Sequence, residues 1–212
     1  MLTVHHLGIS QSERIVWLCE ELEIPHALKT YERDPKTLLA QADYKALHPV
    51  GTAPVITDGD LVLAESGAVV DYIIAKYGSG RLKPGPDHPG FAQFLYWFHF
   101  SNGTLQAQLG RNMILNRLKL PDDNPILQAT RGRLDRSFDL VNARLGEADY
   151  LAGEFSAADI MIGFSLTTMR YFMPYDIDRC PNIVRYLARI GARPAYRRAM
   201  DKGDPGMKLL LT

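Results

Sequence analysis

Cysteine is scarce: Cys19 and Cys180 are the only 2 thiols in 212 residues. They are too few for a disulfide framework and form no C-x-x-C pair, which excludes a small disulfide-stapled scaffold and fits a reducing compartment. Surplus charge is absent as well, since 24 Lys+Arg face 24 Asp+Glu and the formal net charge is 0. Phosphate neutralisation by excess cations supplies most nucleic-acid affinity, so a nucleic-acid partner is not expected, nor is a polybasic membrane anchor. No uncharged apolar stretch approaches the ~18 residues of a transmembrane helix. The opening Met1-Leu2-Thr3-Val4-His5-His6 has no basic region leading into an apolar run, so the chain reads as soluble and cytoplasmic, not secreted. The 6 histidines show no H-x-x-x-H, and no bound metal is expected. G-x-G-x-x-G, G-x-x-x-x-G-K-S/T and G-x-S-x-G are all missing, which removes the sequence basis for dinucleotide, nucleoside-triphosphate and serine-hydrolase chemistry.

What is present is the composition of an ordinary globule, 46% hydrophobic and 23% charged. Leu2 to His6 reads as a strand ending at Gly8, and Ile15, Leu18, Cys19 and Leu22 form the stripe of an amphipathic helix that stops before Pro25. Ser10-Gln11-Ser12-Glu13 fits a capping box at its start. Residues 26–31 predict a strand, Asp34-Pro35 opens a helix to about Leu47, and residues 54–63 around Asp58-Gly59 predict a β-hairpin. A helix from Ser66 to Tyr77, stopped by Gly78, completes a βαβαββα order, implying a mixed sheet covered by helices. The Gly/Pro-rich stretch 78–89 reads as a linker between a domain at 1–77 and an all-helical bundle at 90–212. Helices are expected there at 90–117, 125–147, 157–172, 182–191 and 194–201. Ser156 and Asp159 form a capping-box pair before one of them, and Arg185, Arg189, Arg193 and Arg197 read as a solvated basic face.

Ser10 stands where the first strand meets the first helix. The plain reading of this place is an N-cap. The same place suits a second task, because a helix N-terminus biases a bound thiol toward thiolate and a hydroxyl can donate to the sulfur. A hydrogen bond to a charged group is worth ~1.5–3 kcal/mol, or about one to two pKa units. Across the hairpin, Ala53-Pro54 offers a backbone edge to a peptide-like ligand, with proline tolerated at a strand's first position and open to a cis bond. Ser66 offers a hydroxyl and helix-terminal amides to a carboxylate, and Glu65 a countercharge to an amine. Singly, these are a turn proline and helix caps; together they describe a site for a small thiol peptide.

These residues resemble the cytosolic glutathione S-transferase family, in its bacterial serine-type members, along nearly the whole chain. The resemblance rests on HHLGISQSERIVWLCEEL, GTAPVI, LAESGAVVDYI, EFSAADI and YLARIGARPAYRRA. It implies a thioredoxin-like domain followed by a helical domain, and a homodimer. It also implies Ser10 as the catalytic residue, with Ser12 the alternative, and Pro54 as a cis-proline. By the same resemblance Ala53 pairs with the cysteinyl part of glutathione, Glu65 and Ser66 clamp the γ-glutamyl end, and Asp159 is a structural cap. An acceptor pocket between the domains is expected to include Tyr96, Phe100, Gly103 and Arg111. Thr52, expected beside glutathione, stands where many relatives have lysine, and Asn102 where similar bacterial sequences carry an acidic residue. Glutathione is the expected co-substrate, with no resident cofactor, and the partner is a small hydrophobic electrophile. Glutathione-dependent peroxide or disulfide reduction and a non-catalytic binding or regulatory role are the alternatives. Cys19 lies well inside the first helix, which disfavours a mixed disulfide with the enzyme.

Overall fold

Strand β1 (Leu2–Leu7) is buried along nearly its whole length because it is the inner strand of a four-stranded sheet. In the computed structural model, which describes all 212 residues, it pairs in parallel with β2 (Ala27–Tyr31) and antiparallel with β3 (Val55–Asp58). Strand β4 (Leu61–Ala64) closes the expected hairpin, giving the order β2-β1-β3-β4. Successive side chains of a strand point to opposite faces. His5 accordingly meets Tyr31 and Thr57 on one face, while His6 meets Ser12 on the other. Helix α1 (Glu13–Leu22) and helix α3 (Ser66–Lys76) pack against each other, and α1 also packs on β1. A second cluster gathers Leu7, Tyr31, Ala53, Val55 and Ala64 around Tyr44.

The helix expected from Asp34 to Leu47 is reduced to the single turn α2 (Ala42–Lys45). The Asp34 carboxylate accepts from the amides of Lys36 and Thr37, and Leu38 takes a left-handed φ of 59°. This local Asx turn competes with the helix.

The chain divides differently from the expectation of 1–77, 78–89 and 90–212. One compact unit holds Met1–Lys83 together with Ile190–Leu209; the other holds Pro84–Arg189 and Leu210–Thr212. Helix α9 (Pro194–Gly203) therefore belongs to the sheet-containing unit, where Tyr196 meets Trp17 edge-on at 4.9 Å. Arg198 and Lys202 bind Glu20, and Arg193 grips both carboxylate oxygens of Glu21 at 2.7 and 2.8 Å. Of the arginine series, Arg185 and Arg197 are exposed as expected, whereas Arg189 and Arg193 are partly buried and pair with Asp149 and Glu21.

In the second unit the expected helix at 90–117 is α4 (Phe91–Phe100), a π-helical segment (Ser101–Gln106) and α5 (Ala107–Arg117). Helix α6 (Pro125–Glu147) starts where expected, with the Asn124 side chain accepting from the amides of Ile126 and Leu127. Helix α7 (Ala157–Leu166) is buried throughout and packs on α4. It is shorter than the expected 157–172, giving way to a 3₁₀ turn at Thr168–Tyr171. Helix α8 (Pro181–Ala192) begins in this unit. The Ser156–Asp159 capping box forms in full.

Candidate active site

Between β1 and α1 the chain makes a short loop whose backbone is held from two sides. Ile9 sits at φ 50°, a conformation that costs a β-branched residue about 1–3 kcal/mol. Its amide donates to Asp204 Oδ1 at 2.8 Å, and its carbonyl accepts from Arg33 at 2.9 Å. Arg33 also donates to the carbonyl of Gly8 at 2.7 Å. The loop delivers Ser10, only 3% exposed, to the start of α1.

The expected Ser10–Glu13 capping box is not made. The N-cap is Ser12, without a side-chain cap bond, and the Glu13 amide donates to the main-chain oxygen of Ser10. The two hydroxyls are committed elsewhere. Ser10 Oγ accepts from the Ser12 amide at 3.2 Å and lies 2.7 Å from Ser12 Oγ. Ser12 Oγ accepts from the Leu7 amide and sits 3.0 Å from His6 Nδ1.

The Ala53–Pro54 peptide is cis, and both residues are buried at the head of β3, with Thr52 exposed beside them. The Ala53 carbonyl accepts from Gln11 Nε2 at 2.6 Å. Gln11 Oε1 in turn accepts from Arg14, whose guanidinium also reaches Ser66 Oγ at 3.4 Å. Gln11 and Arg14 thus tie the Ser10 loop to the Ala53 edge and to Ser66, a buried residue at the first position of α3. Glu65, exposed before it, takes φ 72° and ψ 117°. A non-glycine residue held at positive φ is the kind of strain that clusters at binding sites.

Arg14 has no exposed surface. Burial pushes its guanidinium down to about 9 against the raising influence of Glu13, so it stays a cation at neutral pH. That interior charge and the α1 terminus bring positive charge to the region, with the buried Glu13 carboxylate acting on Arg14 from the next position. Sequence reading passed over both Gln11 and Arg14. The available signal was Arg14 itself, four residues before Leu18 and therefore on the buried stripe of the helix.

The expected acceptor residues lie in the second unit. Tyr96, 51% exposed, stacks on buried Phe100 with centroids 5.7 Å apart. Gly103 lies in the π-helical segment and Arg111 is exposed on α5. The π segment adds a residue to the local turn and interrupts the single helix expected at 90–117 between Phe100 and Arg111. Asp159 is fully buried and accepts from the amides of Leu151 and Ser156 and from Tyr186. Cys19 is inert as a nucleophile, because burial and then Glu20 push its thiol up to about 12.

Residues 10–76 match the glutathione S-transferase N-terminal domain and residues 124–189 its C-terminal domain. A crystal structure of a glutathione S-transferase from Actinobacillus pleuropneumoniae superposes with a TM-score of 0.87 at 33% identity, covering 96% of this chain and 93% of that one. The chain belongs to the glutathione S-transferase family.

It is also similar to glutathione S-transferase 3 of Schizosaccharomyces pombe, at 29% identity over 95% of this chain and 88% of that protein. Glutathione S-transferase 3 of Zea mays is 31% identical over 76% of this chain and 75% of its own. In this glutathione transferase the first match opens at Ser10, and both matches end before α9, so Asp204 lies outside them. No helix is long and apolar enough to cross a membrane.

Proposed function

We propose that this glutathione transferase holds the glutathione thiol at Ser10 as a thiolate, for attack on an electrophilic carbon of a small hydrophobic acceptor. The observation that carries the reading is the frame in which Gln11 bonds the Ala53 carbonyl and Arg14 bonds both Gln11 and Ser66, with buried Ser10 joined to it as the chain neighbour of Gln11; a peptide edge, a hydroxyl and a buried cation are thereby tied to the Ser10 loop. Ala53 pairs with the cysteinyl backbone of glutathione. Ser66 Oγ and the first amides of α3 take the γ-glutamyl carboxylate, Glu65 takes its amine, and Thr52 flanks the tripeptide. Tyr96, Phe100, Gly103 and Arg111 are the proposed acceptor residues of the second unit. Ser10 O–H donates to the sulfur, and the α1 terminus adds its partial charge.

Glutathione is a co-substrate, and the proposed step uses no resident cofactor. Two copies form a homodimer, and the protein works in the cytoplasm. Transfer is favoured over disulfide reduction through an enzyme thiol, because burial keeps Cys19 protonated inside α1.

The test is a spectroscopic titration of the bound thiol in wild type and Ser10→Ala. Loss of one hydrogen bond to the thiolate is expected to raise the thiol pKa by about one to two units, with glutathione still bound and transfer to an aryl halide falling about 10–100-fold. An unchanged pKa in Ser10→Ala removes Ser10 from this role.

A further inference from the structure

Behind Ser10 the hydroxyls continue into a buried chain. Ser10 Oγ lies 2.7 Å from Ser12 Oγ, Ser12 Oγ 3.0 Å from His6 Nδ1, and His6 Nε2 3.1 Å from Asp204 Oδ2. His6 and Ser12 have no exposed surface, and Asp204's side chain has little. Building on the assignment of Ser10 to the glutathione thiol, we propose that Ser12, His6 and Asp204 are positioning residues that receive the thiol proton through Ser10 and store it on His6.

Hydrogen-bond counting supports this at both ends of the transfer. Asp204 accepts from His6 Nε2–H, which sets the tautomer and leaves Nδ1 as an acceptor. Ser12 O–H therefore donates to Nδ1, a shorter contact than its 3.4 Å alternative at the Leu7 carbonyl. Ser12 Oγ still accepts from the Leu7 amide and from Ser10 O–H. Ser10 Oγ, accepting from the Ser12 amide, keeps one lone pair for an incoming S–H. In this order Ser10 accepts from the ligand.

The step then balances. The S–H bond breaks and its proton goes to Ser10 Oγ, the Ser10 proton to Ser12 Oγ, and the Ser12 proton to His6 Nδ1. No electrons leave the chain of bonds. The imidazolium, with N–H at both nitrogens, pairs with the Asp204 carboxylate; every donor now points outward, and Ser10 O–H donates to the thiolate. The order of the bonds reverses, and each oxygen remains within its bonding capacity.

The end of α9 is shaped for this ring. A Cβ at Gly203 would lie 3.1 Å from His6 Nε2 and press the ring by a few tenths of an ångström, so glycine gives the imidazole its close seat against Asp204. The charged groups facing the pair are few. Asp204 meets His6 directly, and the Arg33 guanidinium acts on Asp204 while gripping the Gly8 and Ile9 carbonyls. His5 points to the other face of β1.

The test counts protons on the intact wild-type protein. Glutathione is bound near neutral pH in buffers of different ionisation enthalpy, with thiolate absorbance and the ¹⁵N resonances of the His6 ring followed together. The relay requires thiolate to form without an equivalent proton entering the buffer, while His6 changes to the imidazolium signature. His6→Gln, Asp204→Asn and Ser12→Ala should each leave about tenfold less bound thiolate at a fixed pH, with glutathione affinity within about twofold. One proton released per thiolate, with His6 neutral throughout, overturns the relay and leaves Ser10 standing if Ser10→Ala still loses the thiolate. If wild type forms no thiolate, the Ser10 assignment falls, and the relay with it.

Discussion

Arg14 is a full cation in the protein interior, tolerated because Gln11 and Ser66 give its guanidinium hydrogen-bond partners. It orders two of the groups assigned to glutathione. Arg14→Met removes the buried charge but leaves Gln11 Oε1 and Ser66 Oγ without that donor, so it is expected to fold with a loss of about 1–3 kcal/mol. Its effect should fall on binding: with Ser66 Oγ and Gln11 no longer aligned, loss of about one hydrogen bond, ~1.4 kcal/mol, should raise KM for glutathione about tenfold with a smaller change in kcat. Steady-state kinetics check this. At this scale the places of Ser10 at the strand–helix junction, Ala53–Pro54 at the head of a strand with its cis bond, and Glu65–Ser66 at the start of a helix were legible from sequence, because the local signals at such junctions are strong. Ser12 was read only as the alternative to Ser10, and its connection through His6 to Asp204 was not legible, since 198 positions separate His6 from Asp204.

Helices α7 and α2 show the two outcomes of local signalling. Ser156 and Asp159 formed the expected cap, and Asp159 also accepts from Leu151 and Tyr186. Burial dominates its titration, pushing the carboxyl up to about 6 against the hydrogen bonds from Leu151, Ser156 and Tyr186. An unfolded Asp titrates near ~3.9. Between the two values the folded chain binds more protons, so this contribution to stability is present below about pH 4, declines as pH rises, and is gone above about pH 6. The unfolding free energy of wild type relative to Asp159→Asn should therefore rise by about 2 kcal/mol from pH 7 to pH 4.5. Urea unfolding at the two pH values checks it; no change with pH would contradict the buried carboxyl. At α2 the competing Asx turn of Asp34 won, because nothing after it buried an apolar stripe. The π segment at Ser101–Gln106 left no local signature in a sequence that reads as uninterrupted helix.

Over the whole molecule, the decisive feature is the return of Ile190–Leu209 to the first unit. Helix α9 buries Tyr196, Ala199 and Met200, and Trp17 is nearly fully covered. At ~1.5–3 kcal/mol per large apolar side chain, its loss costs on the order of 5 kcal/mol, a large part of a domain's stability. A chain ending at residue 189 should therefore fail to give a folded glutathione-binding unit, whereas one ending at Leu209 should retain it; circular dichroism and glutathione-affinity retention distinguish them. Glu20 contributes to this attachment. Burial raises its pKa, but hydrogen bonds from Lys202 and Arg198 outweigh that and hold it below the usual carboxylate range. The contribution is thus present above the unfolded value and lost as pH falls through the folded one.

The amino-acid sequence by itself determined the βαβαββα order, the hairpin at Asp58-Gly59, the capped start of α7 and the family, because each depends on periodicity, turn chemistry or motifs within a few residues. Only the tertiary structure decided that α9 completes the first unit, that Gln11 and Arg14 tie the Ser10 loop to Ala53 and Ser66, and that His6 lies between Ser12 and Asp204. Those depend on which distant surfaces bury one another, and no local spacing in the chain encodes that.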